Sequence, residues 1–351
     1  MHYAGIGHLT RQPPIPDGDI ALLRNPFQRS WFRSFMKRHR DALRYSAPRP
    51  LEPARRDVSA KDLEEFYQKL GSVLVEKRIP PALMSNFDET MLKASNKTRK
   101  VVFRSHLAVP TVPTNDKVTH VTLGACVFAD GDSILPLCIL DRKFIPQELP
   151  DHVKAGFHWV HQSSGWITKE SFHQWVSDVF IPYVEEKRFA KGLSGRYALL
   201  LVDGHSSRAN PEMLDECRRA KIVVMSYVSH SSALCQVLDR GVFRAYKTEL
   251  TKLKGTQSFR SQVAWRNETL GHSVRAMRIA TSPGTILDAW KESGCWPVDK
   301  TKAINLSNFP GLDVDVQPSS PPPKRRRGGF RISNRILTSQ AVIDELSEDK
   351  Q

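Results

Sequence analysis

Apolar positions recur along the chain at two periods, one helical and one of strands. Leu63, Phe66, Leu70, Val73 and Leu74 share a helical face, predicting a helix from about Ser59 to Lys77 with a serine cap and a stop at Pro80-Pro81. A short apolar run, Leu83 to Asp88, follows. Arg99–Leu107 and His120–Phe128 have strand character, and Ile134–Leu140 returns after the turn signal Asp130-Gly131-Asp132, so an antiparallel meander is expected. Residues 142–166 are rich in His, Pro and Gly and read as a long connection. Thr168 then caps a helix carrying Phe172, Trp175, Val176, Val179 and Phe180.

Tyr197–Val202 and Ile222–Val228 are apolar runs separated by a helical pattern at Asn210-Pro211-Glu212, an order that calls for two parallel strands with a crossover helix. Beyond them, Leu234, Leu238, Val242, Tyr246, Leu250 and Leu253 mark a helix that Gly255 ends. Further helices are expected over about Ser261–Leu270, Val274–Ala280 and Pro283–Ser293. Residues 305–335 turn to Pro, Ser, Gly and Arg, which predicts a disordered tail over 305–351.

Charge changes the picture at both ends. The net charge of +15 is concentrated: residues 29–56 hold nine Lys/Arg against two acids, and residues 324–335 hold six Lys/Arg and no acid. A balanced core with two basic appendages suits a polyanionic partner. In the first appendage Trp31 and Phe35 line one side of a short helix, with Arg33, Lys37, Arg38 and Arg40 around it and Arg49 in the Pro-containing segment beyond, all candidates for DNA phosphate contacts. In the second, Lys324, Arg325, Arg326 and Arg327 form a candidate nuclear import signal. Five cysteines without CxxC spacing argue against a zinc ribbon or a disulfide framework, and no apolar run reaches the roughly 20 residues of a membrane span.

Three aspartates stand where chemistry is expected. Asp203 ends the Tyr197–Val202 strand beside Gly204, Asp239 lies on a helix 36 residues further on, and Asp88 ends the first apolar run. A meander after one aspartate, a crossover, a strand ending in a second and a helix bearing a third is the element order of an RNase H-like core. Carboxylates gathered this way repel one another until cations relieve them, and two Mg²⁺ or Mn²⁺ ions about 3.5–4 Å apart suit phosphodiester chemistry. Glu89 reads as an exposed neighbour, and His205 and His230 as auxiliary candidates.

The motifs Asn-Phe-Asp-Glu-Thr at 86–90, Ser-Gly-Trp-Ile-Thr at 164–168, Leu-Val-Asp-Gly-His-Ser-Ser at 201–207 and Leu-Asp-Arg-Gly-Val-Phe at 238–243 together resemble the DDE-type transposases of the pogo/Tigger/jerky group, relatives of mariner. The resemblance implies an α/β RNase H-like core (a mixed five-stranded sheet with flanking helices) and places Asp88, Asp203 and Asp239 as catalytic, metal-binding residues. It implies DNA as partner and allows a homodimer, while the basic cluster at 324–327 points to the nucleus and the lack of a long apolar run to no membrane. Trp31 to His39, followed by Pro48-Arg49-Pro50, resembles the end of a centromere-protein-B-type helix-turn-helix region. The expected organisation is a basic arm (1–56), a linker helix (57–82), the catalytic core (83–255), a helical extension (256–304) and the tail (305–351). The alternative is a decayed or domesticated nuclear DNA-binding protein that keeps the fold. Where that group has a Pro-Pro-His segment and a Leu-Gln-Pro-Leu-Asp approach, this chain has Tyr227-Val228-Ser229-His230 and Cys235-Gln236-Val237-Leu238-Asp239, which predicts a looser approach to the third carboxylate.

Overall fold

A computed structural model of the chain describes residues 34–35, 37–39, 58–92, 121–140, 149–162, 165–254, 262–305 and 332–348. It divides into two units, Met1–Glu52 and Pro53–Gln351. In the first, Ser34, Phe35, Lys37 and Arg38 are helical and Lys37 and Arg38 are exposed, as the amphipathic pattern predicts. Arg33, Arg40, Arg49, Lys324, Arg325, Arg326 and Arg327, and the strand expected at Arg99–Leu107, lie outside the described residues.

The second unit is built on one sheet whose strands are β1 (Met84–Leu92), β2 (Val121–Phe128), β3 (Ser133–Leu140), β4 (His158–His161), β5 (Ala198–Val202) and β6 (Ile222–Ser226). Their order is β4-β3-β2-β1-β5-β6. β1, β2 and β3 pair antiparallel, and β5 and β6 continue the sheet in parallel from the other side of β1. That central set is the RNase H-like arrangement. Two differences from the sequence reading concern β1 and β4. Asp88 lies within β1, paired with Ala125, rather than at the strand's end. The sheet has six strands, not five, because His158–His161 pairs in parallel with β3. Four residues with a histidine at each end carry too little alternation to stand out from the segment around them.

β2 and β5 are buried along their whole length, which explains their continuous apolar runs. At Gly124 an added Cβ would sit 2.8 Å from the Phe87 ring, so any side chain there would displace the ring. The β2–β3 register shifts between Gly124 and Cys126, an irregularity opposite Asp88 and Glu89.

Helices cover the sheet. α1 (Ala60–Glu76) starts at Ser59, whose hydroxyl accepts the Asp62 amide at 3.0 Å, and buries Leu63, Phe66, Tyr67, Leu70, Val73 and Leu74. A short α2 (Asp151–Lys154) leads into β4. α3 (Lys169–Trp175) runs through a π-helical turn, Val176–Phe180, into α4 (Ile181–Ala190), with Pro182 in the first turn of α4, where its missing amide hydrogen is tolerated. α5 (Pro211–Arg219) is the β5–β6 crossover. After β6 come α6 (Ser232–Cys235), α7 (Val237–Arg240) and α8 (Val242–Lys254), broken at Gly241, where a Cβ would meet Ala289 at 2.6 Å. α9 (Gln262–Ala280) joins into one helix the two expected there, and α10 (Pro283–Ser293) ends at Gly294 with φ +71°. Tyr67 Oη donates to the Ser293 carbonyl at 2.5 Å, tying α1 to α10.

The tail departs most from expectation. Ile332–Thr338 runs along the outer edge of β6: the Ser226 amide donates to Arg335 O at 2.9 Å, Leu337 N to Val224 O at 2.7 Å and Asn334 N to Tyr227 O at 3.0 Å. α11 (Gln340–Glu348) then packs on α5. Val342, Ile343 and Leu346 form a buried stripe in a segment whose average composition is polar, so the local period outweighs the composition.

Candidate metal centre

Asp88 projects from the middle of β1 and is buried, 8% exposed. Asp203 follows β5 and is half-buried. One carboxylate oxygen from each of Asp88, Glu89 and Asp203 lies within 4.8 Å of the others. Burial, then the charges of Asp239, Glu89 and Asp203, push the Asp88 carboxyl well above the usual carboxylate range. Asp239 is therefore an electrostatic neighbour of Asp88. It sits outside the close trio, exposed on α7.

Asn86 holds α7 against the sheet. Its amide donates to Leu201 O at 3.0 Å while its carbonyl accepts the Leu238 amide at 3.0 Å, so one side chain spans β1, β5 and the residue before Asp239. The approach from Tyr227 is also tied: Tyr227 N donates to Val202 O at 3.0 Å and the buried Ser231 hydroxyl to Val228 O at 2.7 Å. These bonds tie the approach at residues 227–231 to the sheet end and to its own turn.

Arg208, with no exposed side-chain surface, sits on the turn Ser206–Arg208. Its Nη2 donates to both oxygens of Glu89 at 2.6 and 2.7 Å, and its Nε to Asp203 Oδ1 at 3.1 Å. The guanidinium lies over Phe172, 4.2 Å from the ring centre, and near Phe87 at 5.1 Å. Burial alone would lower its pKa; the carboxylates of Glu89, Asp203 and Asp88 outweigh burial and raise it. Arg208 is thus a fixed internal cation.

Glu89, expected to be exposed, is instead 16% exposed at its side chain and clamped. Sequence reasoning missed this pair. The available signal was an arginine five residues after a strand-end aspartate, which spacing alone does not distinguish from a surface charge. His205 is exposed, and its Nδ1 accepts the Ser207 amide at 3.2 Å, which makes it a cap of that turn. His230 is exposed in a left-handed conformation, φ 63°, away from regular structure.

Residues 118–291 match the DDE superfamily endonuclease family. The chain belongs to that superfamily. The matched stretch takes in Asp203 and Asp239, and Asp88 precedes it. Among curated proteins, the human Tigger transposable element-derived protein 7 is 25% identical over 196 residues, covering 54% of this chain and 35% of that protein. A 94-residue stretch is 34% identical to a protein named MFS-type transporter clz9 from Cochliobolus lunatus, covering 26% of this chain and 10% of that one. Among the described residues no helix is long and apolar enough to cross a membrane. The chain thus spans about a third or less of these relatives. The Mos1 strand transfer complex aligns at 12% identity and a TM-score of 0.46, over 84% of this chain and 80% of that one. The DDE assignment and the sheet order agree, because the sheet sets the end of β5 beside the middle of β1.

Proposed function

We propose that this DDE-superfamily chain is a metal-dependent DNA endonuclease of the transposase type, cleaving phosphodiester bonds and transferring the resulting 3′ ends. The observation that carries the reading is the convergence of Asp88 and Asp203 on adjacent parallel strands, with the Asp239 charge acting on Asp88. The donor set is all carboxylate oxygen and its central member is driven toward protonation by burial and then by its acidic neighbours, which fits hard divalent ions such as Mg²⁺ or Mn²⁺. Such ions, two in the full reading, would polarise a phosphodiester oxygen and acidify water. Asp88, Asp203 and Asp239 would hold them.

The chain's own residues arrange this. Arg208 takes up both oxygens of Glu89 and Asp203 Oδ1, which leaves Asp203 Oδ2 for the centre and withholds Glu89 from it. Asn86 fixes α7 and with it Asp239. The basic arm, with Arg33, Lys37, Arg38, Arg40 and Arg49, would add DNA phosphate contacts, Lys324, Arg325, Arg326 and Arg327 a nuclear address, and a homodimer would bring two DNA ends together. A decayed or domesticated DNA-binding protein, the alternative, is favoured by the shortened arm and the missing prolines; the bonds at Tyr227, Ser231 and Leu238 weigh against the second of these grounds.

Nicking of supercoiled plasmid tests the reading. Cleavage is expected in Mg²⁺ or Mn²⁺, absent in EDTA, and at least about 100-fold slower in Asp203→Asn, a loss of about 2.7 kcal/mol in barrier lowering. Equal nicking by wild type and Asp203→Asn overturns it.

A further inference from the structure

α8 has two unlike faces. Val242, Phe243, Tyr246 and Leu250 are buried at helical spacing, while Arg244, Lys247, Thr248, Thr251 and Lys252 are exposed. The exposed face borders a trough of about 610 Å³ that Asp239 and Phe243 line together with Arg244, Lys247, Thr248, Thr251 and Lys252. A basic helix face is ordinarily a solvated surface. Three features set this one apart. It opens directly onto the third aspartate. Among the described residues Arg244 and Lys247 have no acidic partner, whereas Lys252 is paired with Glu249 at 2.5 Å. The Thr248 and Thr251 hydroxyls bond back to the Arg244 and Lys247 carbonyls at 2.9 and 2.7 Å, so the positions between the cations stay short and the trough stays open.

We propose that this face of α8 is a phosphate-binding track that holds the strand next to the bond being cut. The proposal rests on the endonuclease reading and adds the surface that delivers substrate to Asp239. Without ions the carboxylates repel an incoming phosphodiester, and cations just outside the cluster offset that repulsion for the strand beside it. From Arg244 to Lys252 the helix rises about 12 Å. At about 3.4 Å of duplex axis per phosphate of one strand, that length faces about three phosphates. Arg244 and Lys247, a turn apart, take two of them, and Lys252 takes a third when it leaves Glu249. The track touches the nucleic-acid backbone only, so it carries no sequence preference.

The test uses the full chain in EDTA, with affinity for a labelled duplex of ~30 base pairs measured against NaCl concentration. Arg244→Gln/Lys247→Gln is expected to reduce the slope of log K against log[salt] by about 1.8, near 0.9 for each phosphate that is no longer neutralised. Arg244→Lys/Lys247→Arg, which keeps both charges, retains the wild-type slope. Lys61→Gln/Lys169→Gln removes two exposed charges elsewhere and leaves the slope unchanged. Equal slope changes in the two Gln pairs, or none in Arg244→Gln/Lys247→Gln, overturn the proposal. Plasmid nicking separates the two readings. A chain whose slope depends on Arg244 and Lys247 but which never nicks keeps the track and loses the hydrolytic reading, and a chain that nicks with an unchanged slope does the reverse.

Discussion

At the scale of single residues, Arg208 and Asp88 face opposite electrostatic problems. Arg208 is a buried cation whose donors are engaged by Glu89, Asp203 and, at 3.0 Å, the Ser207 hydroxyl. Removing it as Arg208→Met strands Glu89 beside two aspartates and is expected to cost about 3–5 kcal/mol, measured by urea unfolding. Glu89→Gln in the same chain should recover part of that loss, because the stranded charge is gone. No recovery would mean that the guanidinium acts by packing on Phe172 and Phe87 alone. Asp88 is uncompensated. Its folded pKa is raised, so the stability it contributes is fully present below the unfolded value of about 4 and is lost as pH rises through the raised value. Asp88→Asn should therefore melt at a higher temperature than wild type in EDTA at pH 7, with the gap closing as pH falls toward 4. A gap that does not change with pH would contradict the assigned cause.

At the scale of elements, Asn86 joins β1, β5 and α7. Asn86→Ala leaves the buried Leu238 amide and Leu201 carbonyl short of a partner and should cost about 1–3 kcal/mol in chemical denaturation. Loss of metal affinity should accompany it if α7 is held by this amide. Gly124→Ala puts a methyl group against Phe87 and should cost a similar amount, about 1–3 kcal/mol. The long apolar elements were legible in the sequence because burial on both faces gives β5 and β6 unbroken runs and α1 its stripe. β4 was not, since it is four residues long. The continuity of α9 was hidden by Gly271, which is half-buried in the helix with room for a side chain. Among site residues, Asp203 was marked by its strand end. Glu89 and Arg208 were invisible, because their pairing spans 119 residues and depends on a turn geometry that spacing does not encode.

At the scale of the whole molecule, residues 332–348 close the outer edge of β6, which would otherwise present unpaired backbone groups. Deleting 332–351 should lower the melting temperature and promote concentration-dependent aggregation, seen by light scattering; a monodisperse variant that melts like wild type would show that the edge needs no cover. Within the second unit the sheet collects Asp88 and Asp203, α7 offers Asp239, and α8 extends a basic face away from it. Asp88, Asp203 and Asp239 are proposed to form one divalent-metal centre from which Arg208 withholds Glu89. Calorimetric Mn²⁺ binding to wild type, Asp88→Asn, Asp203→Asn, Asp239→Asn and Glu89→Gln tests it most directly. Each aspartate variant is expected to weaken binding at least about tenfold, 1.4 kcal/mol, while Glu89→Gln binds within a fewfold of wild type. Unchanged binding in Asp239→Asn with abolished binding in Glu89→Gln would contradict the claim and assign the centre to the close trio Asp88, Glu89 and Asp203.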